Sequence, residues 1–484
     1  MEFWRRPAVR WSGLLGGAIL LRLVFFIGPL ASDDAAYSNH AYAMVTGSFH
    51  PIPDIFSTRI GFLASIAAAY ALFGAGPFTL VLTNLLFSIA GLILAYRTAR
   101  HFTDDAGAWR AVSLLALFPL DVFISTEAHT DLPLAVLLTA AVLLYLNAKM
   151  RDGIALFVLA GATLGIAHLF KESAFFGFVA LWAVGGRPKI RDSWAVAGFL
   201  GVIVLESIFY AAATGDALYR VHTVNATQSR DIAHLHTPGV SSAGVILGSV
   251  TQFFNPLSVG FPFFGLLPAL AFIAAVLAIR RKDPMLRPLT YWLIAVLLLL
   301  ILWPINFAPY QPALRPHARI FLIVEVPMAI LAAGLLGQMA PRRAVLLFAA
   351  FAVTSITCSA LLHSDARRMS AGARMAFDGP LHSEGGAVSD PRTTYLLRLY
   401  DGNRGDRTWS DWNASSGPPL RIVNETWIQL LKEWNGLGPP PGFEHPGVAP
   451  STTLRVEGRI RLSPLLRGRV ERTPSQEVRI YRIP

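Results

Sequence analysis

Two adjacent carboxylates follow the first long apolar run of the chain. Asp33 and Asp34 come directly after the run from Leu14 to Leu30, where a membrane helix would emerge into water. A carboxylate with an ordinary pKa of about 3.9 is already a base at neutral pH. If the next segment is helical, Asp33, Tyr37 and His40 share one face. The pair could therefore accept a proton from a substrate. Alternatively, Asp33 caps that helix and Asp34 is solvated.

Cations and further polar groups recur at turns that we place on the same side as this pair. Arginine binds phosphate through a planar two-point fork. A reaction with a phosphate leaving group needs cations on the phosphate and a base on the incoming nucleophile, and sugar transfer from a lipid phosphate needs both. The alternative is that these arginines anchor lipid headgroups and hold loops together. The groups are Arg59, Glu127, His129, Asp131, His168, Lys171, Glu172, the segment from Arg220 to His236, Asn306, Tyr310, Arg315, His317 and Arg319, with Glu206 and Glu325 a turn or two deeper.

Composition indicates an integral membrane protein. The 484 residues are 54% hydrophobic and only 15% charged, whereas soluble domains have about 25% charged residues. The net charge of +11 does not indicate nucleic acid binding, because the cations form short clusters between apolar runs. The single cysteine, Cys358, excludes an internal disulfide.

These cationic clusters predict the topology. Three arginines near the N-terminus place it in the cytoplasm, with a first helix over about Trp11 to Ala31 that is retained rather than cleaved. The apolar stretch from Gly61 to Gly74 is short for a crossing, so we expect it to lie along the outer surface. If it does, the chain crosses the membrane about eleven times in all, and every later cationic cluster lies inside. The crossings after the first are expected near 77–96, 111–124, 132–146, 154–170, 174–184, 194–213, 262–279, 289–303, 320–336 and 345–362.

The tail from residue 363 to 484 has a different composition. It is polar, with Gly-Pro punctuation and short alternating runs typical of strands. We therefore predict two units: a transmembrane domain over 1–362, with juxtamembrane helices in its first outer loop at 31–76, and a small α/β or mostly β extracytoplasmic domain over 363–484. Sequons begin at Asn225, Asn413 and Asn424.

This layout resembles the GT-C superfamily of polyprenyl-phosphate-dependent glycosyltransferases, nearest to the protein O-mannosyltransferases and the aminoarabinose transferases of lipid A. The resemblance covers about residues 1–336. Its motifs are D-D-A-A-Y from Asp33, F-S-T-R-I-G-F from Phe56, the turn from Phe118 to Leu132 and the late loop from Tyr310 to Pro327. The implied fold is a polytopic helical membrane protein of the GT-C type in the inner or plasma membrane.

The resemblance also implies residue roles. The acid of the first outer loop deprotonates the acceptor, and either Asp33 or Asp34 matches it. The implied contacts to the donor phosphate are Arg59, Tyr310, Arg315 and Arg319. We further expect Lys171 to contact this phosphate, and Lys171 and the loop from Arg220 to His236 to close over the site. The acceptor or sugar pocket would use Tyr37, His40, Glu127, Asp131, Glu172, His222 and Arg230.

The expected partners are a polyprenyl-phosphate-linked sugar, an acceptor glycan, lipid or protein, and membrane lipids, with no nucleic acid. No cofactor is certain. A divalent metal is an open possibility, because His40, His222, His234 and His236 could act as ligands, although their spacing matches no standard zinc signature. Two other classes stay open: a transporter or lipid flippase, which usually has ionisable groups near the midplane and internal repeats, and a non-enzymatic assembly subunit.

Overall fold

A computed structural model describes most of the chain. The described residues are 7–187, 189–235, 244, 247, 250, 251, 253, 261–307, 310–312, 318–379, 381, 386–403, 408–411, 420–424, 450–456, 460–462, 470–472 and 476–482.

Helices form nearly all of the apolar part. We number them α1 to α17 in chain order: Pro7–Val24, Asp33–Val45, Ile60–Phe73, Pro77–Ala99, Asp105–Ala116, Pro119–Ile124, Asp131–Arg151, Ile154–Phe170, Gly177–Gly185, Ser193–Thr214, Tyr219–Leu235, Phe261–Phe264, Leu267–Arg280, Arg287–Leu302, Glu325–Gly337, Pro341–Asp378 and Pro391–Tyr400. Short 3-10 helices cover Glu172–Phe176, Ile190–Asp192 and Ala318–Val324.

Six helices among the described residues are long and apolar enough to cross a membrane: Pro7–Val24, Pro77–Ala99, Asp131–Arg151, Ile190–Thr214, Ala318–Gly337 and Pro341–Arg367. Five shorter apolar helices accompany them, and one is Ile60–Phe73, which coincides with the expected surface helix. The prediction of a helical multi-pass membrane protein is confirmed. The surface position of α3 and the count of about eleven crossings stay predictions.

The expected crossing at residues 111–124 is not one helix. Helix α5 ends at Ala116 and α6 begins at Pro119. Proline lacks an N–H and disfavours helical geometry in the residue before it, so a break before Pro119 follows from the residue itself. The break brings the polar segment 125–130 back toward the bundle, where its side chains are buried.

Helices α8 and α10 pack with their backbones in contact. A Cβ on Gly161 would lie 1.7 Å from the Ala195 carbonyl oxygen, and one on Gly198 would lie 2.1 Å from that of Val158. Small residues allow such close approach in membranes. The contact holds Glu206 of α10 beside the end of α8.

The segment from Arg220 to His236, expected as a loop, is helical over Tyr219–Leu235, so that expectation was wrong. It contains no glycine or proline between 219 and 235, so nothing in it breaks a helix. Its polar composition had suggested a loop.

The polar tail forms an α/β unit. Its sheet has the order β4-β3-β5-β9-β6, with strands at Gly386–Ser389 (β3), Thr408–Asp411 (β4), Leu420–Asn424 (β5), Thr452–Val456 (β6) and Gln476–Arg482 (β9). Strands β3, β4 and β5 are parallel, and β9 pairs antiparallel with β5 and β6. Two further two-stranded ribbons pair Pro304–Phe307 (β1) with Tyr310–Pro312 (β2), and Ile460–Leu462 (β7) with Val470–Arg472 (β8).

The tail is continuous with the membrane part. Helix α16 runs through residue 363, the expected boundary, and ends at Asp378. Helix α17 then packs Tyr395, Leu396 and Leu399 into the apolar cluster that contains Tyr37 and Phe62. The tail therefore contacts the first loop of the membrane part directly.

Candidate active site

The predicted polar residues gather at one end of the helix bundle, which we call the site end. It is the end where α1 finishes and where α4 and α7 begin. The cationic clusters at Arg97 and Arg100, at Lys149 and Arg151 and at Arg280 and Arg281 lie at the opposite end, because they finish α4, α7 and α13. The helix order therefore agrees with the prediction that the polar site residues and the cationic clusters lie at opposite ends of the bundle.

Asp33 faces the centre of the site. Its side chain is 27% exposed, and Oδ2 lies 2.8 Å from Nη2 of Arg319 and 4.0 Å from Nδ1 of His129. Burial opposes ionisation, but the positive charges of Arg319 and Arg59 outweigh it and lower the pKa of Asp33 below its usual value. Asp33 is therefore ionised at neutral pH.

Asp34 is held differently. It is buried, Oδ2 accepts from the backbone N–H groups of Leu30 and Ala31, and Oδ1 accepts from that of Ser32. Burial outweighs these hydrogen bonds and raises the pKa of Asp34 to about 6. The alternative of a capping Asp33 and a solvated Asp34 is therefore wrong: α2 has no side-chain cap, and the buried Asp34 braces the loop before the helix.

Arg319 contacts side chains from two parts of the chain, the start of α2 and the residues around the start of α7. Its Nη1 donates to Nδ1 of His129 at 3.0 Å, and its Nε lies 3.7 Å from Oδ2 of Asp131. Nε2 of His129 lies 2.9 Å from Oε2 of Glu127, so that nitrogen carries the proton. Lys171 contacts Asp131 at 2.5 Å. Arg319 therefore lies among three acceptors, and its side chain is 30% exposed.

A second chain of charges starts at Arg59. Its Nη1 donates to the hydroxyl of Tyr37, and Nη2 lies 3.1 Å from Oε1 of Glu172. Glu172 lies 3.8 Å from Arg220, which contacts Glu206 at 2.6 Å. Burial opposes the charge of Arg59, but Glu172 and Tyr37 outweigh it and raise its pKa. These side chains connect α2, the start of α3, the 3-10 helix Glu172–Phe176, α10 and α11.

Other predicted residues lie elsewhere or are not described. His40 pairs with Asp54 at 3.0 Å, and the exposed His222 pairs with Asp216 at 2.8 Å, so neither contacts Asp33. Tyr310 lies in β2 and Arg230 in α11, and their side chains are outside the described part. Arg315, His234 and His236 lie outside the described residues or have no described side chain.

The described residues offer no candidate site for a divalent metal. Among them, no group of three or more histidine, cysteine or acidic side chains has an arrangement that could hold a metal ion.

The tail contributes contacts that no sequence motif predicted. Arg392 of α17 donates to the carbonyls of Ala31 and Ser32, and the Tyr395 hydroxyl donates to the carbonyl of Asp34 at 3.4 Å. The Tyr42 hydroxyl donates to the carbonyl of Asn403 at 3.0 Å. No spacing or motif connects residues more than 350 positions apart, so only the fold reveals these contacts.

The architecture and part of the sequence match known proteins. Residues 60–210 match the family described as dolichyl-phosphate-mannose-protein mannosyltransferase. The fold is similar to that of apo ArnT from Cupriavidus metallidurans, with a TM-score of 0.60 and 16% identity over 98% of both chains. The chain therefore has the GT-C fold.

Two further structures show the same GT-C architecture. ArnT from Cupriavidus metallidurans bound to undecaprenyl phosphate matches with a TM-score of 0.58 and 14% identity, over 97% of this chain and 98% of the other. The Archaeoglobus fulgidus oligosaccharyltransferase, tethered to an acceptor peptide, matches with a TM-score of 0.52 and 14% identity. That match covers 84% of this chain and 64% of the longer relative. No curated protein sequence matches the chain.

Proposed function

We propose that this chain is a membrane glycosyltransferase that moves a sugar from a polyprenyl-phosphate donor to an acceptor hydroxyl. The observation that carries the proposal is the contact of 2.8 Å between the ionised, partly exposed Asp33 and Arg319 at the site end. A base and a phosphate-binding cation are the two groups that such a transfer requires. The GT-C fold and the family match over residues 60–210 support it.

We propose that the site end faces the extracytoplasmic side. The support is the distribution of cations, because the clusters that finish α4, α7 and α13 all lie at the opposite end. Lysine and arginine favour the cytoplasmic ends of membrane helices. The protein would then reside in the cell or inner membrane, with the N-terminus in the cytoplasm and the tail outside.

Asp33 is the better base of the two carboxylates. Asp34 uses both oxygens on backbone N–H groups and is only 3% exposed. In the transfer, Asp33 takes the proton of the acceptor hydroxyl as its oxygen bonds to the anomeric carbon. The bond from that carbon to the phosphate oxygen breaks, and its electron pair leaves with the lipid phosphate.

Arg319 would change partners during this reaction. In the structure it is paired with Asp33. A donor phosphate competes for the same guanidinium, since arginine binds phosphate through two parallel hydrogen bonds. Once Arg319 turns to the phosphate, Asp33 loses its closest positive neighbour and becomes a stronger base. Donor binding would thus activate the base as well as stabilise the leaving group.

Arg59 and Lys171 supply further positive charge near Asp33 and Arg319. They pair with Glu172 and Asp131, so we assign them to holding Tyr37 and Arg319 in place and to neutralising the phosphate at longer range. Arg315 and Tyr310 would complete the phosphate site from the late loop. Glu127 orients His129, which lies beside both Asp33 and Arg319.

The test compares Asp33→Asn, Asp34→Asn and the unchanged chain. Each purified protein is incubated with a panel of polyprenyl-phosphate sugars and candidate acceptors, and the released lipid phosphate and the glycosylated acceptor are measured. General base catalysis contributes about 100- to 10,000-fold, so Asp33→Asn should lower the turnover rate by at least about 100-fold. Asp54→Asn, a carboxylate change in the same loop, is the matched control and should retain activity.

Two results would overturn the proposal. The first is full activity of Asp33→Asn in a chain that folds normally. The second is substrate-dependent uptake by vesicles with no sugar transfer, which would identify a transporter instead.

A further inference from the structure

A groove runs along the outside of the bundle at the site end, between α1, α4 and α16. Leu23 and Phe26 line it on one side and Pro77 on another, with Arg374 of α16 and Tyr400 of α17 opposite. It consists of two adjoining spaces of about 180 and 530 Å³. We call it the lipid groove.

One face of α16 supplies the basic side chains of the lipid groove. His363, Arg367 and Arg374 lie four and seven residues apart, which places them on one helix face, and Ser370 lies between them. Arg367 is exposed and forms no salt bridge with any residue that the structure describes. Among the described residues, Arg374 forms an ion pair with the exposed Asp378 at 3.4 Å, and exposed ion pairs are weak. The groove therefore has positive charge available for an anion.

The depth of the lipid groove matches the headgroup layer of a membrane. The apolar part of α16 ends at Arg367, α1 ends at Val24 and α4 begins at Pro77. The adjacent apolar side chains of Leu23, Val24 and Phe78 are about half exposed, as expected where acyl chains lie against the protein. A ligand with a charged headgroup and apolar chains would contact both the arginines and the apolar side chains of the groove.

The first loop separates the lipid groove from the candidate active site. On the groove side, Nε2 of His363 lies 3.1 Å from the Phe26 carbonyl. On the other side, the N–H groups of Ile27 and Gly28 donate to the hydroxyl and carbonyl of Thr126. Asp33 and Arg319 therefore do not line the groove.

We propose that the lipid groove binds the phosphate headgroup of a membrane phospholipid, at a site distinct from the one for the sugar donor. Basic pockets beside membrane helices bind anionic headgroups in this way. Arg367 and Arg374 hold the phosphate, and the acyl chains lie along α1 and α4. This binding does not depend on sugar transfer.

Native mass spectrometry of the detergent-purified chain tests the proposal, with phosphatidylglycerol or diacylglycerol of the same acyl chains as probes. The unchanged chain should retain one phosphatidylglycerol and no diacylglycerol. Arg367→Gln combined with Arg374→Gln should lower the retained fraction about tenfold, because it removes two charge-assisted contacts. Arg342→Gln combined with Arg343→Gln is the matched control, since it removes two exposed arginines from the other end of the same helix.

Equal loss of phosphatidylglycerol from both double variants, or retention of diacylglycerol by the unchanged chain, overturns the proposal. Saturation of the groove by millimolar inorganic phosphate, with phosphatidylglycerol displaced, identifies a free anion site and also overturns it. If the groove variant melts early, the single charge reversal Arg367→Glu at the exposed position repeats the test. Asp33→Asn should retain the lipid, which separates this result from the proposed transfer activity.

Discussion

Asp33 and Asp34 are neighbours in sequence with opposite environments. One faces Arg319 and His129, and the other is enclosed by backbone N–H groups. Nearby positive charge lowers the pKa of the first carboxyl, and burial raises that of the second to about 6. The two residues therefore divide the work, with Asp33 suited to chemistry and Asp34 to holding the loop.

The raised pKa of Asp34 predicts a pH dependence of stability. The folded chain keeps this proton up to about pH 6, whereas the unfolded chain releases it near 3.8. The stabilising contribution is thus fully present below about pH 4 and is lost as pH rises to about 6, an effect of at most about 3 kcal/mol. We expect the melting temperature of the unchanged chain to fall across that window relative to Asp34→Asn.

Thermal unfolding in one detergent, at half-unit steps from pH 4 to pH 7.5, measures this difference. Parallel curves for the two proteins would contradict the prediction. Asp54→Asn serves as the reference for removing an acid from the same loop.

At the scale of elements, one buried ion pair joins three helices. Arg22 of α1 donates to Asp121 of α6 and, at 2.8 Å, to Ser88 of α4, whose hydroxyl donates to Asp121 at 2.6 Å. Arg22 and Ser88 are fully buried and Asp121 nearly so. This arrangement holds the short α6, and with it the polar segment 125–130 of the site, against the bundle.

Removing one partner of this pair should destabilise the fold. Arg22→Leu leaves Asp121 buried without its countercharge, which costs about 3–5 kcal/mol. Ser88→Ala removes only hydrogen bonds and should cost about 1–2 kcal/mol. Combining Arg22→Leu with Asp121→Leu removes both charges and should recover most of the loss. Thermal unfolding of the three variants measures the order, and a double variant no more stable than Arg22→Leu would contradict it.

At the scale of the whole molecule, the tail acts on the first loop. Arg392 donates to the carbonyls of two successive residues, Ala31 and Ser32, and the Tyr395 hydroxyl donates to the carbonyl of Asp34. Ala31 has a positive φ of 57°, an uncommon conformation for a residue with a side chain. The tail therefore supports a strained turn directly before the proposed base.

Loss of this support should reduce turnover. Arg392→Ala is expected to lower the transfer rate about 10- to 100-fold, because a displacement of about 1 Å in a catalytic group has an effect of that size. The KM for the donor should change little, since Arg319 and its neighbours are untouched. Arg398→Ala, on the same helix but bonded to the Trp409 carbonyl inside the tail, is the control. Equal rates for the two variants would show that the tail contact does not position Asp33.

Much of the fold could be predicted from sequence, because apolar runs and cationic clusters are local signals. Helices α4, α8 and α10 lie close to their expected ranges, and an α/β tail follows the membrane part. The sequence patterns gave a wrong prediction at two places. The polar residues of α11 indicated a loop where the structure has a helix, and at α6 one proline divides an apolar run that was expected to be a single crossing. Asn424, the start of a sequon, is buried in β5, which a triplet cannot reveal.

Residue types and spacing by themselves determined the membrane class of this protein and the end of the bundle at which its polar groups collect, because hydropathy and charge act over short stretches of chain. They left Asp33 and Asp34 equivalent. Only the tertiary structure decided which carboxylate meets Arg319 and which is enclosed by backbone, and only it brought the tail against the first loop. The Arg319 contact and the tail contact join residues hundreds of positions apart, where burial and Coulomb interactions are set by packing.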